Sequence, residues 1–372
     1  MKIAMIGARG IDSDYSGVEK TVREISVRLA ARRHDVHVFS EKRNADAPSR
    51  YHGVNIVRVP ALGGKHTETL SRAAVATLIS IRDGFDVVHF HAQGSGIFSA
   101  LSRMFGQKCV VTVHGLDWKR DKWSGLAKFS LKTAERVAAR FSSHLVVVGA
   151  CLQDYFKLHY GRDTTYIPNG ITPVQRRATT ERIRALGLTP DGYVLFASRL
   201  VPEKGCDELI RAYNGIRTDK KLVIAGGGRY ADLYSQSLKA IADPAKVVFT
   251  GHARGELLEE LFSHTRLFVL PSHIEGLSNA LLEALGYQKP VLVSDIPENL
   301  VVVNGCGYCF RVGDVEDLRA RLTTLLSDDD IVRESEMRMR GFLADAYDWD
   351  RIVDQYEQVY SSLLPAGAGH LA

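Results

Sequence analysis

Cysteine is scarce in this chain, and the five present are odd in number and widely scattered. That excludes the disulfide framework on which small secreted domains depend. Cys306 and Cys309 do have the C-x-x-C spacing of zinc and redox sites. No second such pair and no nearby histidine accompanies them, so small buried residues of a strand are expected there, pointing to opposite faces. Long apolar runs are missing too. None approaches the roughly 18 residues that span a bilayer, and Ile3 to Ile6 is too short for a signal-peptide core. A cytoplasmic protein is therefore expected. The chain also lacks the GxGxxG of dinucleotide-binding folds. Gly7, Gly10 and Gly17 follow the first apolar segment at the wrong spacing, in a loop too long for that tight turn. A nicotinamide-dependent enzyme is disfavoured on that ground.

What is present is ordinary in amount and unusual in distribution. The 372 residues exceed what one core usually serves, so two domains are expected. Apolar residues make up 45% and charged residues 24%, the balance of a soluble globular protein. Residues 1–172 carry 25 Lys and Arg against 15 Asp and Glu, a net +10, whereas residues 173–372 carry 23 against 28, a net −5. The first half is suited to an anionic partner. No nucleic-acid partner is expected.

Apolar segments alternate with helical spacing along the whole chain. Strands are expected at 2–6, 36–39, 55–59, 86–90, 108–113, 144–148 and 164–167, and after Pro168-Asn169-Gly170 again at 193–197, 221–225, 247–250, 267–270, 291–293 and 308–311. Such alternation argues for parallel sheets covered on both faces. The expected domains are 1–172 and 173–348. An amphipathic last helix from Trp349 to Leu364 presents Ile352, Tyr356, Val359 and Leu363 on one face.

The most informative stretch is 271–285, PSHIEGLSNALLEAL. Glu275 precedes the helix it opens and Glu283 lies inside it. At the turn, the backbone N–H groups around Gly276, Leu277 and Ser278 are free to face an anion or a sugar hydroxyl. If 267–270 is a parallel strand, the constellation sits at its carboxyl end, where open α/β sheets bind ligands. A second stretch, 196–205, FASRLVPEKG, puts Arg199 and Lys204 on another strand-to-helix loop. Two cations there suit a diphosphate, Arg through a fork of donors and Lys as a point charge. Thr250-Gly251 and the glycines after Ala225 close two further strands, where a base or phosphate could approach the backbone, though tight turns explain them equally well.

These strings resemble retaining glycosyltransferases of family 4. Glu275 and Glu283 match the EX7E motif of that family, SRLVPEKG its R-x4-K phosphate clamp, and IPNG at 167–170 the end of its first domain. The HGLDWKRDKW string at 114–123 resembles members that build bacterial surface polysaccharides. The resemblance implies the GT-B fold, an α/β architecture of two Rossmann-like parallel-sheet domains facing a central cleft, with the last helix, 349–372, packing back on the first domain.

The resemblance also assigns roles. It places the donor sugar at Glu275, the ribose hydroxyls at Glu283, the diphosphate at Arg199 and Lys204, and His114 close to the sugar. Gly17 alone matches the glycine pair that approaches the donor phosphate. His89 and His91 could line the acceptor side or be structural. The function implied is metal-independent transfer of a sugar, with retention, from a nucleotide diphosphate sugar, UDP first, to a glycan or lipid-linked acceptor. A sugar-nucleotide epimerase of the same fold and a non-catalytic sensor are the rival readings. No cofactor is expected. The Asp-x-Asp pairs at 12–14 and 348–350 do not end buried strands, so neither is read as a metal site. Finally, Lys128, Lys132, Arg136 and Arg140 recur every four residues, just after Lys119, Arg120 and Lys122. That stripe is either a solvated helix face or a contact with an anionic membrane, on the inner side if the protein is cytoplasmic.

Overall fold

The computed structural model describes residues 1–11, 17–41, 48–61, 68–119, 125–172, 174, 176–227, 232–342 and 346–365. Two compact units emerge: Met1–Gly170 with Tyr347–Ala372, and Ile171–Ala346.

In the first unit the strands are β1 (Lys2–Ile6), β2 (Asp35–Glu41), β3 (Arg50–Tyr51), β4 (Val54–Val59), β5 (Val87–His91), β6 (Lys108–Val113), β7 (His144–Val147) and β8 (Thr165–Tyr166). They form one sheet in the order β3-β4-β2-β1-β5-β6-β7-β8. The Val- and Ile-rich central strands are buried on both faces, as a helix-covered parallel sheet requires. Alternate residues of β1 therefore serve different cores. Ile3 and Met5 pack with Trp349, Ile352, Val353, Tyr356, Val359 and Tyr360 of the last helix, Trp349–Leu363, whereas Ala4 and Ile6 join Phe39, Phe90 and Phe156 on the other face. Against Trp349, Gly170 has no room for a side chain: a Cβ there would lie 2.5 Å from the indole ring.

The second unit contains β9 (Tyr193–Ala197), β10 (Lys221–Ala225), β11 (Val247–Gly251), β12 (Leu267–Leu270), β13 (Val291–Ser294) and β14 (Tyr308–Phe310), in the order β11-β10-β9-β12-β13-β14. Every registered pairing in it is parallel. A short helix, Glu181–Ala185, precedes β9. Its first N–H groups, from Arg182 and Ile183, donate to the buried carboxylate of Glu260 at 3.0 and 3.2 Å.

Both sheets reverse direction once. The chain winds outward from β1 and then restarts at β5 on its other side; it winds outward from β9 and restarts at β12. At such a reversal the loops leaving two adjacent strands diverge to opposite faces, which opens a crevice at their carboxyl ends.

Two expectations need correction. The first sheet is not wholly parallel, because β3 pairs antiparallel with β4. His52 and Gly53 join them with φ of 44° and 84°, the positive pair that a tight hairpin demands. The 306–309 stretch is not one strand. Cys306 closes the turn after the helix Pro297–Val303, its N–H donating to the Val303 carbonyl at 2.7 Å, and only Cys309 lies on β14. Neither forms a disulfide, the Cys306 thiol donates to the Val303 carbonyl at 2.7 Å, Cys309 is only partly buried, and burial pushes the pKa of each upward.

Candidate active site

The reversal between β9 and β12 brings together two residues that stand 71 positions apart in the chain. After β9 the chain passes Arg199 and makes a 3₁₀ turn, Pro202–Lys204, that ends at Gly205 with φ of +63°. Any side chain at Gly205 would put its Cβ 2.2 Å from the Pro271 carbonyl oxygen, so glycine is what lets this loop lie against the one after β12. Across that contact the Lys204 ammonium pairs with the Glu275 carboxylate; their side chains are 11% and 8% exposed. Such a buried pair costs heavily if either partner is removed. Ser278 caps the helix Asn279–Gly286, its hydroxyl accepting from the Leu281 N–H at 3.3 Å, with Gly276 buried and Leu277 partly exposed just before it. Glu283 lies in that helix, partly buried. Next to Lys204, Glu203 is buried, and neither of its carboxylate oxygens has a hydrogen-bond partner among the described residues.

Thr250 and Gly251 end β11, the edge strand, with β10 between them and β9. At roughly 5 Å per strand they stand about 10 Å along the sheet from the loop carrying Lys204. Gly251 has φ of +68°, and the Thr250 hydroxyl donates to its carbonyl at 3.1 Å, which is turn chemistry. Gly228 lies outside the described residues.

The corresponding reversal of the first unit, between β1 and β5, is uncharged at its centre. Gly7, with φ of +122°, leaves β1 so close to β5 that a Cβ would sit 2.1 Å from the His91 carbonyl oxygen. His89 is fully buried and exchanges hydrogen bonds with the Tyr360 hydroxyl and the Thr112 hydroxyl, 2.7 Å each. Those contacts make His89 structural. The His91 ring lies beside it, centroids 4.0 Å apart and planes tilted by 37°, and its Nδ1 meets His114 Nε2 at 3.3 Å. Burial keeps all three rings uncharged at neutral pH. His89 is pushed down to about 3, with the charge of His114 adding to the effect; His91 falls well below the usual range; His114 falls to about 4 although Asp117 opposes the shift. His114 follows β6 directly and is partly exposed. Gly17 is the exposed first residue of the helix Gly17–Ala31, and its carbonyl accepts from the Thr21 hydroxyl, which also donates to Asn169, both at 3.0 Å. Asp12 and Asp14 lie outside the described residues, and Asp348 accepts from the N–H groups of Asp350 and Arg351 as the cap of the last helix.

Residues 15–175 match the family model described as Glycosyltransferase Family 4, and residues 179–340 match Glycosyl transferases group 1. Together they take in the whole reversal between β9 and β12 and, of the first reversal, β5 but not β1. The chain belongs to glycosyltransferase family 4. It is similar to the N-acetyl-alpha-D-glucosaminyl L-malate synthase of Bacillus anthracis, 26% identical over 94% of each chain. An Escherichia coli UDP-Gal:alpha-D-GlcNAc-diphosphoundecaprenol alpha-1,3-galactosyltransferase is 24% identical over 76% of this chain and 77% of its own. Among solved structures, Anabaena HepE in complex with UDP and glucose superposes with a TM-score of 0.81, at 19% identity, over 97% of this chain and all of that one. A likeness at that identity shows the fold, and the fold is GT-B.

The sequence reading missed one part of this glycosyltransferase. Glu135 is fully buried and accepts four hydrogen bonds: from the Gln93 amide, from the Trp118 indole N–H at 3.0 Å, and from the hydroxyls of Tyr155 and Tyr160 at 2.7 and 2.6 Å. Gln93 in turn accepts from the Asp117 N–H at 3.1 Å. A carboxylate that only accepts suits four donors. The effect is to pin the loop after β6, which carries His114, to the loop after β5. A signal existed in the sequence: Glu135 stands on the inner face of the helix Gly125–Phe141, among Ala134, Ala138 and Ala139. A charge on that face needs partners from elsewhere in the fold.

Proposed function

We propose that this glycosyltransferase transfers a hexose, with retention of anomeric configuration and without a metal ion, from a nucleoside diphosphate sugar to a hydroxyl of a glycan or lipid-linked acceptor. The observation that carries the reading is the buried Lys204–Glu275 pair at the reversal of the second sheet, with Arg199 on the same loop. Cations so placed stabilise the charge that grows on a departing diphosphate. In this assignment Arg199 and Lys204 hold the diphosphate, Glu283 the ribose hydroxyls, Glu275 the donor sugar, and the N–H groups around Gly276, Leu277 and Ser278 a sugar hydroxyl or phosphate oxygen. For Gly17 and His114, in the first unit, the proposed roles are a close approach to a phosphate and a contact with the sugar, and for Thr250-Gly251 a contact with the base. UDP is the first base to test, because HepE was solved with UDP and glucose and the E. coli relative is named for UDP-Gal.

The bond from the anomeric carbon to the phosphate oxygen breaks as the acceptor oxygen bonds to the same face. The acceptor proton passes to a phosphate oxygen of the leaving group. A double displacement would instead need a carboxylate nucleophile under the anomeric carbon. Glu275 is held by an ammonium, which lowers the nucleophilicity such a role requires.

For the acceptor, the helix Gly125–Phe141 favours a component at an anionic membrane surface. Lys132, Arg136 and Arg140 are exposed along it, and so are Leu126 and Phe129, at 78% and 69%. Lys132 lies over the Trp118 ring at 4.2 Å. Apolar side chains among cations suit the interface of an anionic bilayer. Arg120 and Lys122 lie outside the described residues, and among the described residues no helix is long and apolar enough to cross a membrane. The reading is of a protein resting on the cytoplasmic face.

Mass spectrometry of the purified chain incubated with UDP-, GDP- and ADP-sugars, with glycan and lipid-diphosphate acceptors, tests the transfer. Glycosylated acceptor formed in excess EDTA is expected; activity lost to EDTA and restored by Mn²⁺ would remove the metal-independent part. Flotation with vesicles tests the surface. Binding should require anionic lipid and should be lost on Lys132→Glu with Arg136→Glu, whereas equal binding to neutral vesicles would overturn it.

A further inference from the structure

His91 has a closely packed backbone and a ring nitrogen that no group among the described residues satisfies. Its carbonyl accepts from the Ser95 hydroxyl and lies against Gly7, and the next residue, Ala92, takes φ of 71° while its N–H donates to the Thr112 carbonyl at 3.0 Å. Its Nε2 is buried without a hydrogen-bond partner among the described residues, and its Nδ1 lies 3.3 Å from His114 Nε2. An uncharged imidazole has one donor nitrogen and one acceptor, so a single proton lies between the two rings in one of two arrangements. If His114 Nε2 carried it, the His91 proton would be forced onto the orphaned Nε2, leaving a buried N–H unmade. Orphaned N–H groups are rarer in folded proteins than under-satisfied acceptors. The other arrangement leaves only a lone pair unpartnered. His91 Nδ1–H then donates to His114 Nε2, and the proton of His114 resides on Nδ1.

We propose that His91 is a positioning residue that fixes the tautomer of His114, so that His114 meets the substrate as an Nδ1–H hydrogen-bond donor and not as a base. The catalytic consequence rests on the place given to His114 under the proposed function; the tautomer does not. Burial of both rings agrees with the arrangement, since it keeps them uncharged near neutrality. Gln93 and Glu135 support it by holding the loop that follows His114 in register with β5.

The test is long-range ¹⁵N–¹H NMR on the full chain labelled at histidine, with His114 assigned through His114→Gln, alongside turnover of the donor. The wild type should show His114 protonated at Nδ1. His91→Phe keeps the ring volume and removes the donor: His114 should become a mixture of tautomers, and kcat should fall by roughly tenfold at unchanged donor KM, less than the 10²- to 10³-fold typical of losing a preorganised donor outright. His91→Asn, whose amide nitrogen falls near the position of Nδ1, should restore both the tautomer and the rate. A merely structural His91 would move neither the tautomer nor kcat alone. Finding His114 protonated at Nε2 in the wild type, or an unchanged tautomer in His91→Phe, overturns the proposal. If His91→Phe does not fold, the wild-type spectrum and His91→Asn still decide it. If no donor supports transfer, the spectra judge the tautomer while the mass spectra judge the proposed function.

Discussion

The two sheets reverse in the same way and arm the reversal with opposite chemistry. Each uses a glycine to press one strand-end loop onto a neighbouring carbonyl, Gly7 on His91 and Gly205 on Pro271, with hypothetical Cβ distances of 2.1 and 2.2 Å. Between β9 and β12 the contact brings an ammonium against a carboxylate. Between β1 and β5 it brings buried imidazoles that stay uncharged. Topology alone thus makes a crevice, and the residues on the loops decide whether it holds charge or donates hydrogen bonds. In the proposed function the diphosphate goes to the charged crevice of the second unit and the hydroxylated acceptor to the uncharged crevice of the first.

The largest test of that contrast removes the cation. Lys204→Ala should lower kcat by roughly 10²- to 10³-fold and also lower the melting temperature, because Glu275 is left buried without its partner, a loss of about 3 kcal/mol or more for a pair of this burial. Lys204→Met with Glu275→Leu should regain the stability and not the rate. A Lys204→Ala enzyme of normal turnover would dissolve the distinction between the two crevices. Glu283→Gln comes next. If Glu283 accepts two hydrogen bonds from ribose, calorimetry should show the free nucleoside diphosphate weakened by about 1.5–3 kcal/mol, with the acceptor's affinity untouched. Unchanged nucleotide binding counts decisively against that role.

Much of this was legible because it is local. The strands of both sheets lie on Val- and Ile-rich runs punctuated by Gly, Pro and Ser, and the EX7E and R-x4-K spacings put Glu275, Arg199 and Lys204 on strand-end loops and Glu283 in the helix that follows. The hairpin at β3 was legible too, in His52-Gly53, and was missed because two residues are too few to register as a strand. What could not be read was contact between loops. Nothing near Lys204 in the chain names Glu275 as its partner, because adjacency of β9 and β12 is decided by how six strands share a sheet. The Glu135 clamp is similar: its donors come from positions 93, 118, 155 and 160, and only the packed sheet brings them together.

Glu135 offers a test confined to the first crevice. Glu135→Gln replaces an acceptor-only group with one that has two donor hydrogens, so two of the four incoming donors face another donor. Stability should fall by about 1–3 kcal/mol, and hydrogen exchange should rise in peptides spanning 89–93 and 114–119 while those of the second unit keep their protection. The Tyr160 hydroxyl, pushed up to about 12 by burial and by the neighbouring carboxylate, should return toward its ordinary range. Uniform loss of protection in both units would show that Glu135 supports the whole chain and not this loop pair.

The smallest effect uses pH to ask whether the first crevice is as uncharged as its geometry implies. His114 is pushed down to about 4, first by burial, with Asp117 opposing, whereas an unfolded histidine titrates near 6.5. As pH falls below 6.5 the unfolded chain takes up this proton before the folded one does, so stability declines from there toward pH 4 and is fully present only above 6.5. One histidine contributes at most about 1.4 kcal/mol per pH unit, and less here because His114 is partly exposed. Denaturant unfolding of the wild type and of His114→Asn at pH 7, 6 and 5 isolates that share, since the carboxylates of the second unit titrate alike in both proteins. The wild type should lose stability more steeply than the variant over this range and run parallel to it above pH 7. Parallel curves throughout would mean that His114 takes its proton as readily in the fold as in water, and the first crevice would then become charged at pH values where it is expected to stay neutral.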